Sequence, residues 1–238
     1  MSKATDLFAA GRLQSAIEAL AAELRNDPGN TQLRTSLFEM LCFAGKWDWA
    51  EKQLYALSGG DRGHRGGTLL YLAALRAERT RHQMFEKEDF PWDAGNSVVT
   101  GTCNGREFSS LSDADSRIGD RLEVIAGETW LRIPFTHLAS LEIPPPRRAR
   151  DLLWAPAVIR RGAAFEGVNL GEVLLPVLSP FSWRYPRDEV RLGRMTVWET
   201  LEDGSERPYG QKMLLVDGDE IPILEIRNLK IRQAGAAG

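Results

Sequence analysis

The stretch LSDADSRIGDRLEVIAGETWLRIPF, residues 111–135, lies where helical periodicity ends and strand periodicity begins. Its first half sets aspartates, arginines and a glycine close together, which is typical of a turn. Two strand patterns follow, and a second turn at Gly127 separates them. Apolar residues recur with helical spacing before this stretch and alternate with polar residues after it. Helices followed by strands predict an α+β fold.

The N-terminal third contains an internal repeat with a period of 34 residues, in which Gly11 aligns with Gly45 and Ala16 with Ala50. This period is typical of tetratricopeptide (TPR) helix pairs, with glycine at the reversal and alanine where two helices cross closely. Arg79 stands where a third glycine would fall, so the last helix is expected to continue as one long capping helix. Helices are predicted over residues 6–10, 13–26, 31–44, 47–58 and 68–88.

These patterns divide the chain into a TPR-like helical domain over residues 1–90, a linker over residues 91–105 and a β-rich domain over residues 106–238. Strands are predicted over residues 106–111, 121–126, 129–134, 138–143, 152–159, 171–178, 193–200, 211–216 and 220–231. Tight turn signals at residues 126–128, 202–204 and 217–219 predict hairpins. The sheet is therefore expected to be mostly antiparallel and to form a small barrel or a sandwich.

Composition excludes several classes of function. The 238 residues carry a net charge of -3, so no global positive field favours nucleic acid or an anionic membrane. No stretch approaches the roughly 20 apolar residues of a membrane span, and the N-terminus lacks the apolar segment of a signal peptide. Cys42 and Cys103 are expected to be reduced thiols. Together these features predict a cytoplasmic protein without membrane insertion.

The stretch 111–135 is also the best candidate for chemistry, because Asp113, Asp115 and Asp120 resemble a calcium loop. However, Arg117 stands where a ligand should be, and no glutamate follows at the EF-hand distance. We expect the aspartates to accept hydrogen bonds from turn amides and Arg117 to pair with Asp113 or Asp115. No catalytic, metal-binding or cofactor-binding set is predicted, although a small-ligand or metal-dependent function of the turn 113–120 remains an alternative.

Two surfaces are candidates for binding a protein partner. The concave face of a TPR-like stack is formed by the first helix of each pair, and it either holds a peptide or helix or packs on the second domain. Its predicted residues are Gln32, Thr35, Glu39, Cys42, Leu69, Ala73 and Arg76. The second candidate is the loop 181–187, in which Trp183, Arg184 and Tyr185 are residue types that often anchor interfaces.

Several motifs resemble the ImpE family, also called SciE or TagJ, whose members are accessory proteins of bacterial type VI secretion. They are DADSRIG (113–119), LEV and then GETWLRIPF (122–135), EIPPPRRARDLLW (142–154), GEVLLPVL (171–178), VRLGRMTVW (190–198), GQK (210–212) and LEIRNL (224–229). The structural signature within them comprises Asp113, Asp115, Arg117, Gly119, Trp130 and Trp154. The chain departs from the family at Asp120, where many relatives are expected to have proline.

The resemblance implies a cytoplasmic, non-enzymatic adaptor. Such a protein binds the terminal helix of the small sheath subunit and is linked to the AAA+ ATPase that disassembles the contracted sheath. Two other functions stay open at this stage. One is an enzyme or ligand sensor that uses the turn 113–120, and the other is a structural subunit, such as a homodimer, that binds no helix.

Overall fold

The computed structural model describes residues 3–59, 65–88, 98–162 and 170–232. The chain begins with helices α1 (Lys3–Ala9), α2 (Leu13–Asn26), α3 (Thr31–Phe43), α4 (Trp47–Ser58) and α5 (Arg65–Lys87). The predicted helices are therefore confirmed, and α5 runs through Arg79 as one long helix. The predicted linker 91–105 lies outside the described residues as far as position 97, and the boundary between domains stays a prediction.

The repeated glycines end α1 and α3 as the 34-residue period predicts. Gly11 and Gly45 both adopt positive φ, at 72° and 65°, a conformation that favours glycine. The backbone N–H that follows each glycine donates back into the helix, from Arg12 to Leu7 O and from Lys46 to Leu41 O, at 2.9 Å in both cases. The chain therefore reverses in the same way at both turns and stacks α1, α2, α3 and α4 as two antiparallel pairs.

Strands dominate the rest of the described chain. They are β1 (Gly101–Cys103), β2 (Arg106–Phe108), β3 (Leu111–Asp113), β4 (Arg121–Ala126), β5 (Thr129–Pro134), β6 (Leu138–Glu142), β7 (Trp154–Arg161), β8 (Gly171–Pro176), β9 (Val197–Thr200), β10 (Glu206–Tyr209), β11 (Met213–Val216), β12 (Asp219–Pro222) and β13 (Asn228–Ile231). A short helix, α6 (Asp188–Arg191), precedes β9.

Several strand predictions were wrong in detail, and β10 (Glu206–Tyr209) was missed. The segment 106–111 is split into β2 and the start of β3, which belong to different sheets. The segment 220–231 is broken by a 3-10 helix at Ile223–Glu225, which buries Ile223 between β12 and β13. The segment Gly101–Cys103, which falls within the predicted linker 91–105, is a strand that pairs with β13.

Within the described residues, β2-β1-β13-β6-β7-β8-β4-β5 form one eight-stranded sheet, and its neighbouring strands are antiparallel. The order β12-β11-β3 forms a second sheet, and β9 and β10 form a hairpin ribbon. The three predicted hairpins are present. The predicted barrel is wrong, because the sheets are open and the end strand β5 packs against α5 instead of pairing with β2.

One core lies between the helices and the large sheet. On its sheet side are Ile125, Trp130 and Leu174, which cluster with buried side chains of the helices such as Leu75 and Phe85. The rings of Phe85 and Trp130 lie 5.8 Å apart. The face of α5 that would meet another helix in a longer repeat array therefore covers the sheet. A second core lies between the large sheet and the β12-β11-β3 sheet.

Candidate functional site

A groove follows the first helices of the stack, on either side of α3. A pocket of about 420 Å³ lies between α1 and α3, and another of about 490 Å³ adjoins α3 and the start of α5. Both are lined by Gln32 and Ser36, so α3 forms a shared ridge between them. Apolar residues line their floors: Phe8, Leu20, Leu33 and Met40 in the first, and Phe38, Leu54, Leu57 and Tyr71 in the second.

The β-rich part of the chain contributes one wall of this groove. A 3-10 helix at Ala149–Leu152 places Ala149 in the first pocket and Arg150 in the second. The guanidinium of Arg150 lies 3.6 Å from the carboxylate of Glu39 and 4.9 Å from the centroid of the Tyr71 ring. The wall is therefore held against α3 and α5 by an ion pair and a cation–π contact.

Glu39 is the titratable group at the base of this wall. Its side chain is buried, and burial raises its pKa to about 7 against the opposing effect of Arg150. The carboxyl group is therefore shared between its neutral and ionised forms near neutral pH. It can donate a hydrogen bond as well as accept one there.

A second feature is a network of buried charges between α5 and the sheets. Arg81 donates from Nε to Glu123 Oε1 at 2.7 Å and from Nη2 to Glu123 Oε2 at 2.9 Å. Its Nη1 donates to Glu78 Oε1 at 2.8 Å. Lys212 donates to Asp113, and its Nζ lies 2.8 Å from Glu123 Oε2. All five side chains are at most 8% exposed, so solvent scarcely screens their charges.

Two tryptophans complete the network. The indole N–H of Trp130 donates to Glu123 Oε1 at 3.0 Å, and that of Trp154 donates to Glu78 Oε2 at 3.2 Å. These are charge-assisted hydrogen bonds, which are stronger than neutral ones. Each indole therefore orients one of the two carboxylates that pair with Arg81. Through these contacts the signature tryptophans connect α5 to the large sheet.

The pKa values follow from this crowding. Burial alone would raise the pKa of Glu123, but Arg81 and Lys212 outweigh it and hold that pKa well below its ordinary value. Burial raises the pKa of Asp113 to about 6, although Lys212 opposes the rise. Two cations face three carboxylates among these residues, so their charges do not balance fully.

Comparison with known proteins places the sequence in a family. A family model described as ImpE protein matches residues 105–230, which is more than half of the chain. The chain belongs to the ImpE family. The match contains Asp113, Glu123 and Lys212, so most of the buried network lies inside the family region. Of the groove, it contains only the wall around Arg150.

The likeness to known proteins extends over the full chain. The type VI secretion system accessory component TagJ of Pseudomonas aeruginosa is 28% identical over 267 residues, which cover 98% of this chain and 92% of the relative. The crystal structure of protein VPA1032 from Vibrio parahaemolyticus has a TM-score of 0.87 at 20% identity and covers 100% of both chains. The second likeness shows that the two proteins share a fold.

The groove of this ImpE protein contains part of the predicted concave face. Gln32, Thr35 and Glu39 line it. The other four predicted residues lie elsewhere: Cys42 and Ala73 are buried, Leu69 is exposed beside the groove, and Arg76 pairs with Glu128. The prediction missed Ser36 and Met40, which the helical spacing from Gln32 could have identified. Arg148 and Arg150 could not be found in this way, because they come from the other part of the chain.

The loop containing Trp183, Arg184 and Tyr185 contacts its own chain. The indole of Trp183 packs against the turn at Gly45, and Arg184 Nη2 donates to Glu86 of α5 at 2.9 Å. Tyr185 packs against Tyr209, with 5.5 Å between the centroids of the tilted rings. The loop therefore docks the β-rich part of the ImpE chain on the helices, and we do not include it in the proposed partner surface.

Asp113 and Asp115 of the turn 113–120 form hydrogen bonds and ion pairs within the turn and with the buried network. Asp113 Oδ1 accepts the backbone N–H of Asp115 at 2.9 Å. Asp115 accepts from the backbone N–H of Arg117 and forms a bidentate pair with its guanidinium, at 2.8 Å from Nε and 2.5 Å from Nη2. The expected pairing of Arg117 is confirmed. Among the described residues no group of three metal-ligating side chains is found, and no described helix combines the length and apolarity needed to span a membrane.

Arg117→Ala is expected to lower the free energy of unfolding by about 1–3 kcal/mol, because it leaves the buried carboxylate of Asp115 without its partner. It also removes the cation–π contact with Phe85 of α5, whose ring centroid lies 4.9 Å from the guanidinium. Urea denaturation followed by tryptophan fluorescence measures the change. Arg106→Ala is the matched control, since Arg106 is exposed and lies 3.6 Å from the exposed Asp219. Equal stability of the two variants would contradict the expected role of Arg117.

Proposed function

We propose that this ImpE protein is a cytoplasmic, non-enzymatic adaptor of a type VI secretion system. It binds the terminal helix of the small sheath subunit in the groove along α1, α3 and α5, and it links the sheath to the AAA+ ATPase that disassembles it. The observation that carries the proposal is the groove itself, with apolar floors on both sides of the α3 ridge. The description of the relative from Pseudomonas aeruginosa supports the secretion context.

The chemistry of the lining suits an amphipathic helix. Such a helix inserts apolar side chains at intervals of three or four residues and keeps its polar side toward the rim. The two pockets flank α3, so apolar side chains of one ligand helix can enter each of them. The ridge between them presents Gln32, Thr35 and Ser36, whose polar groups suit the exposed side chains of such a ligand.

The alternative functions receive less support from the geometry. A ligand site at the turn 113–120 needs free carboxylates, whereas Asp113 and Asp115 are buried and already paired. A purely structural subunit needs no open groove on the first helices. A homodimer stays compatible with the adaptor.

The test is a variant that fills the groove. Ser36→Trp places an indole between the two pockets and is expected to abolish binding of the small sheath subunit, measured by biolayer interferometry. Ser15→Trp is the matched control, because Ser15 is an exposed serine on α2, outside the groove. The control is expected to bind like the wild type. A sheath subunit without its terminal helix should bind neither the variants nor the wild type.

Unchanged binding by Ser36→Trp, with a melting temperature near that of the wild type, would show that the groove is not the partner site. Unchanged binding of the shortened subunit would show that the terminal helix is not the ligand.

A further inference from the structure

We propose that the helix received by this groove carries acidic residues along the side that faces residues 147–150, an inference that rests on the helix-binding function proposed above. The groove has one basic wall. Arg148 and Arg150 line the pocket beside α5, and the exposed Arg147 precedes them. The other walls are helices whose residues in the groove are mostly uncharged.

The positive charge of this wall is only partly neutralised. Arg150 is paired with Glu39, but no ion pair to Arg147 or Arg148 is found among the described residues. The nearest acid in sequence is Asp151, whose buried carboxylate accepts the backbone N–H groups of Arg147 and Arg148 at 2.8 and 3.0 Å. The guanidinium of Arg148, which lines the pocket, thus has no carboxylate partner among the described residues, and Arg147 is exposed to solvent.

Glu39 offsets the basic wall only weakly near neutral pH. Burial raises its pKa to about 7, and the groups that act on it are Arg150, Asp151 and Arg148 from the wall. Tyr71 of α5 lies on the other side of Arg150. Because a fraction of the Glu39 carboxyls are protonated, the wall keeps an excess of positive charge.

The ridge opposite the wall discriminates little by charge. Gln32, Thr35 and Ser36 of α3 are neutral and form hydrogen bonds with a ligand of either sign. A ligand helix with lysines on its polar side would set like charges beside Arg148, whereas glutamates there would complete the missing ion pairs. The asymmetry of the groove therefore selects a helix with one acidic side, and it also sets the rotation of that helix about its axis.

Two synthetic amphipathic helical peptides test this selection on the full-length protein. They share one apolar face and differ in carrying glutamate or lysine at the positions that flank it, and their affinities are measured by fluorescence anisotropy. The glutamate peptide is expected to bind at least about tenfold more tightly at low ionic strength, with a smaller preference at about 0.5 M salt, where exposed charges are screened. Arg148→Glu should reverse the preference, and Arg148→Gln should reduce it.

Arg160→Glu is the control, because Arg160 is exposed on β7 away from the pockets. It should leave the preference intact. Three results would overturn the inference that the ligand helix has an acidic side: equal binding of the two peptides, no binding of either, or a preference that survives Arg148→Glu. Concentration-dependent self-association that Ser36→Trp abolishes would also overturn it, by placing a second copy in the groove. If Ser36→Trp still blocks the sheath subunit in the first two cases, the proposed function stands and only the charge selection fails.

Discussion

Arg81→Met is expected to lower the free energy of unfolding by about 3–5 kcal/mol, the range typical for removing one partner of a buried ion pair. The guanidinium of Arg81 is 1% exposed and holds Glu78 and Glu123 at once. Methionine keeps an unbranched apolar side chain in place of the arginine stem but loses the guanidinium and its cation–π contact with Phe85, 5.7 Å from the ring centroid, so the loss of stability is mainly electrostatic. Glu123 then keeps Lys212 as a cationic partner, whereas the buried carboxylate of Glu78 loses its arginine partner.

Arg79→Met provides a control on the same helix. Arg79 also pairs with two acids, Asp48 at 2.8 Å and Glu51 at 3.0 Å, but its side chain is 35% exposed. Solvent screens these contacts, so the loss is expected to stay below about 1 kcal/mol. Guanidinium chloride denaturation of both variants measures the two losses in free energy of unfolding. A difference of less than about 1 kcal/mol between them would show that the network adds little beyond surface ion pairs.

A pH titration extends this prediction with a defined sign. The pKa of Glu123 lies below its ordinary value, so the native state binds fewer protons there than the unfolded chain does. Its contribution to stability is therefore present above its unfolded pKa and is lost as the pH falls through its lower folded pKa. In Arg81→Met the cation that depresses this pKa most is gone. The variant should consequently lose less stability than the wild type on acidification.

The sequence predicts the helices well because their signals are local. Gly11 and Gly45 require positive φ at the ends of α1 and α3, and the 34-residue period aligns them. Strands β4 and β5 are also predicted to the residue, because alternation on both sides of Gly127 specifies a hairpin. The prediction of one continuous strand over residues 220–231 is wrong. Apolar residues recur on both sides of Ile223, but the chain forms a 3-10 helix there.

The network is harder to predict because its partners are distant in sequence. Arg81 and Glu123 are 42 residues apart, and Asp113 and Lys212 are 99 apart. A partial signal does exist on α5, where Glu78 and Arg81 interrupt a buried apolar stripe. A charge within such a stripe predicts a buried partner, but the sequence does not identify that partner. The basic wall of the groove is missed for the same reason.

Gly45→Ala is expected to lower the free energy of unfolding by about 2–5 kcal/mol, from backbone strain and overpacking together. The residue has φ of 65°, and a Cβ atom placed there would lie 2.4 Å from Cδ2 and Cε3 of Trp183. Both atoms belong to the rigid indole ring, which packs between the helical turn and His82. The loop 181–187 therefore has to shift before an alanine fits.

Gly11→Ala separates the two causes, because Gly11 is the equivalent residue of the first repeat. Its φ of 72° gives the same backbone strain, but a Cβ atom there would meet only the flexible end of Arg194, at 3.4 Å. Gly11→Ala is expected to lower the free energy of unfolding by about 1–2 kcal/mol. Calorimetric melting and denaturant titration of the two variants measure the excess loss at Gly45, which reports the contact with Trp183.

A double-mutant cycle assigns that excess to the interface between helices and sheet. Trp183→Ala removes the clashing ring, so Gly45→Ala should cost about 1–3 kcal/mol less in that background than in the wild type. Gly11→Ala should cost the same in both backgrounds, because Arg194 is untouched. If Gly45→Ala lowers the free energy of unfolding equally in both backgrounds, the Trp183 side chain moves aside without strain. Coupling confined to Gly45 would instead show that the second repeat turn is a docking point for the ImpE region, and that glycine is required there for packing as well as for the reversal of the chain.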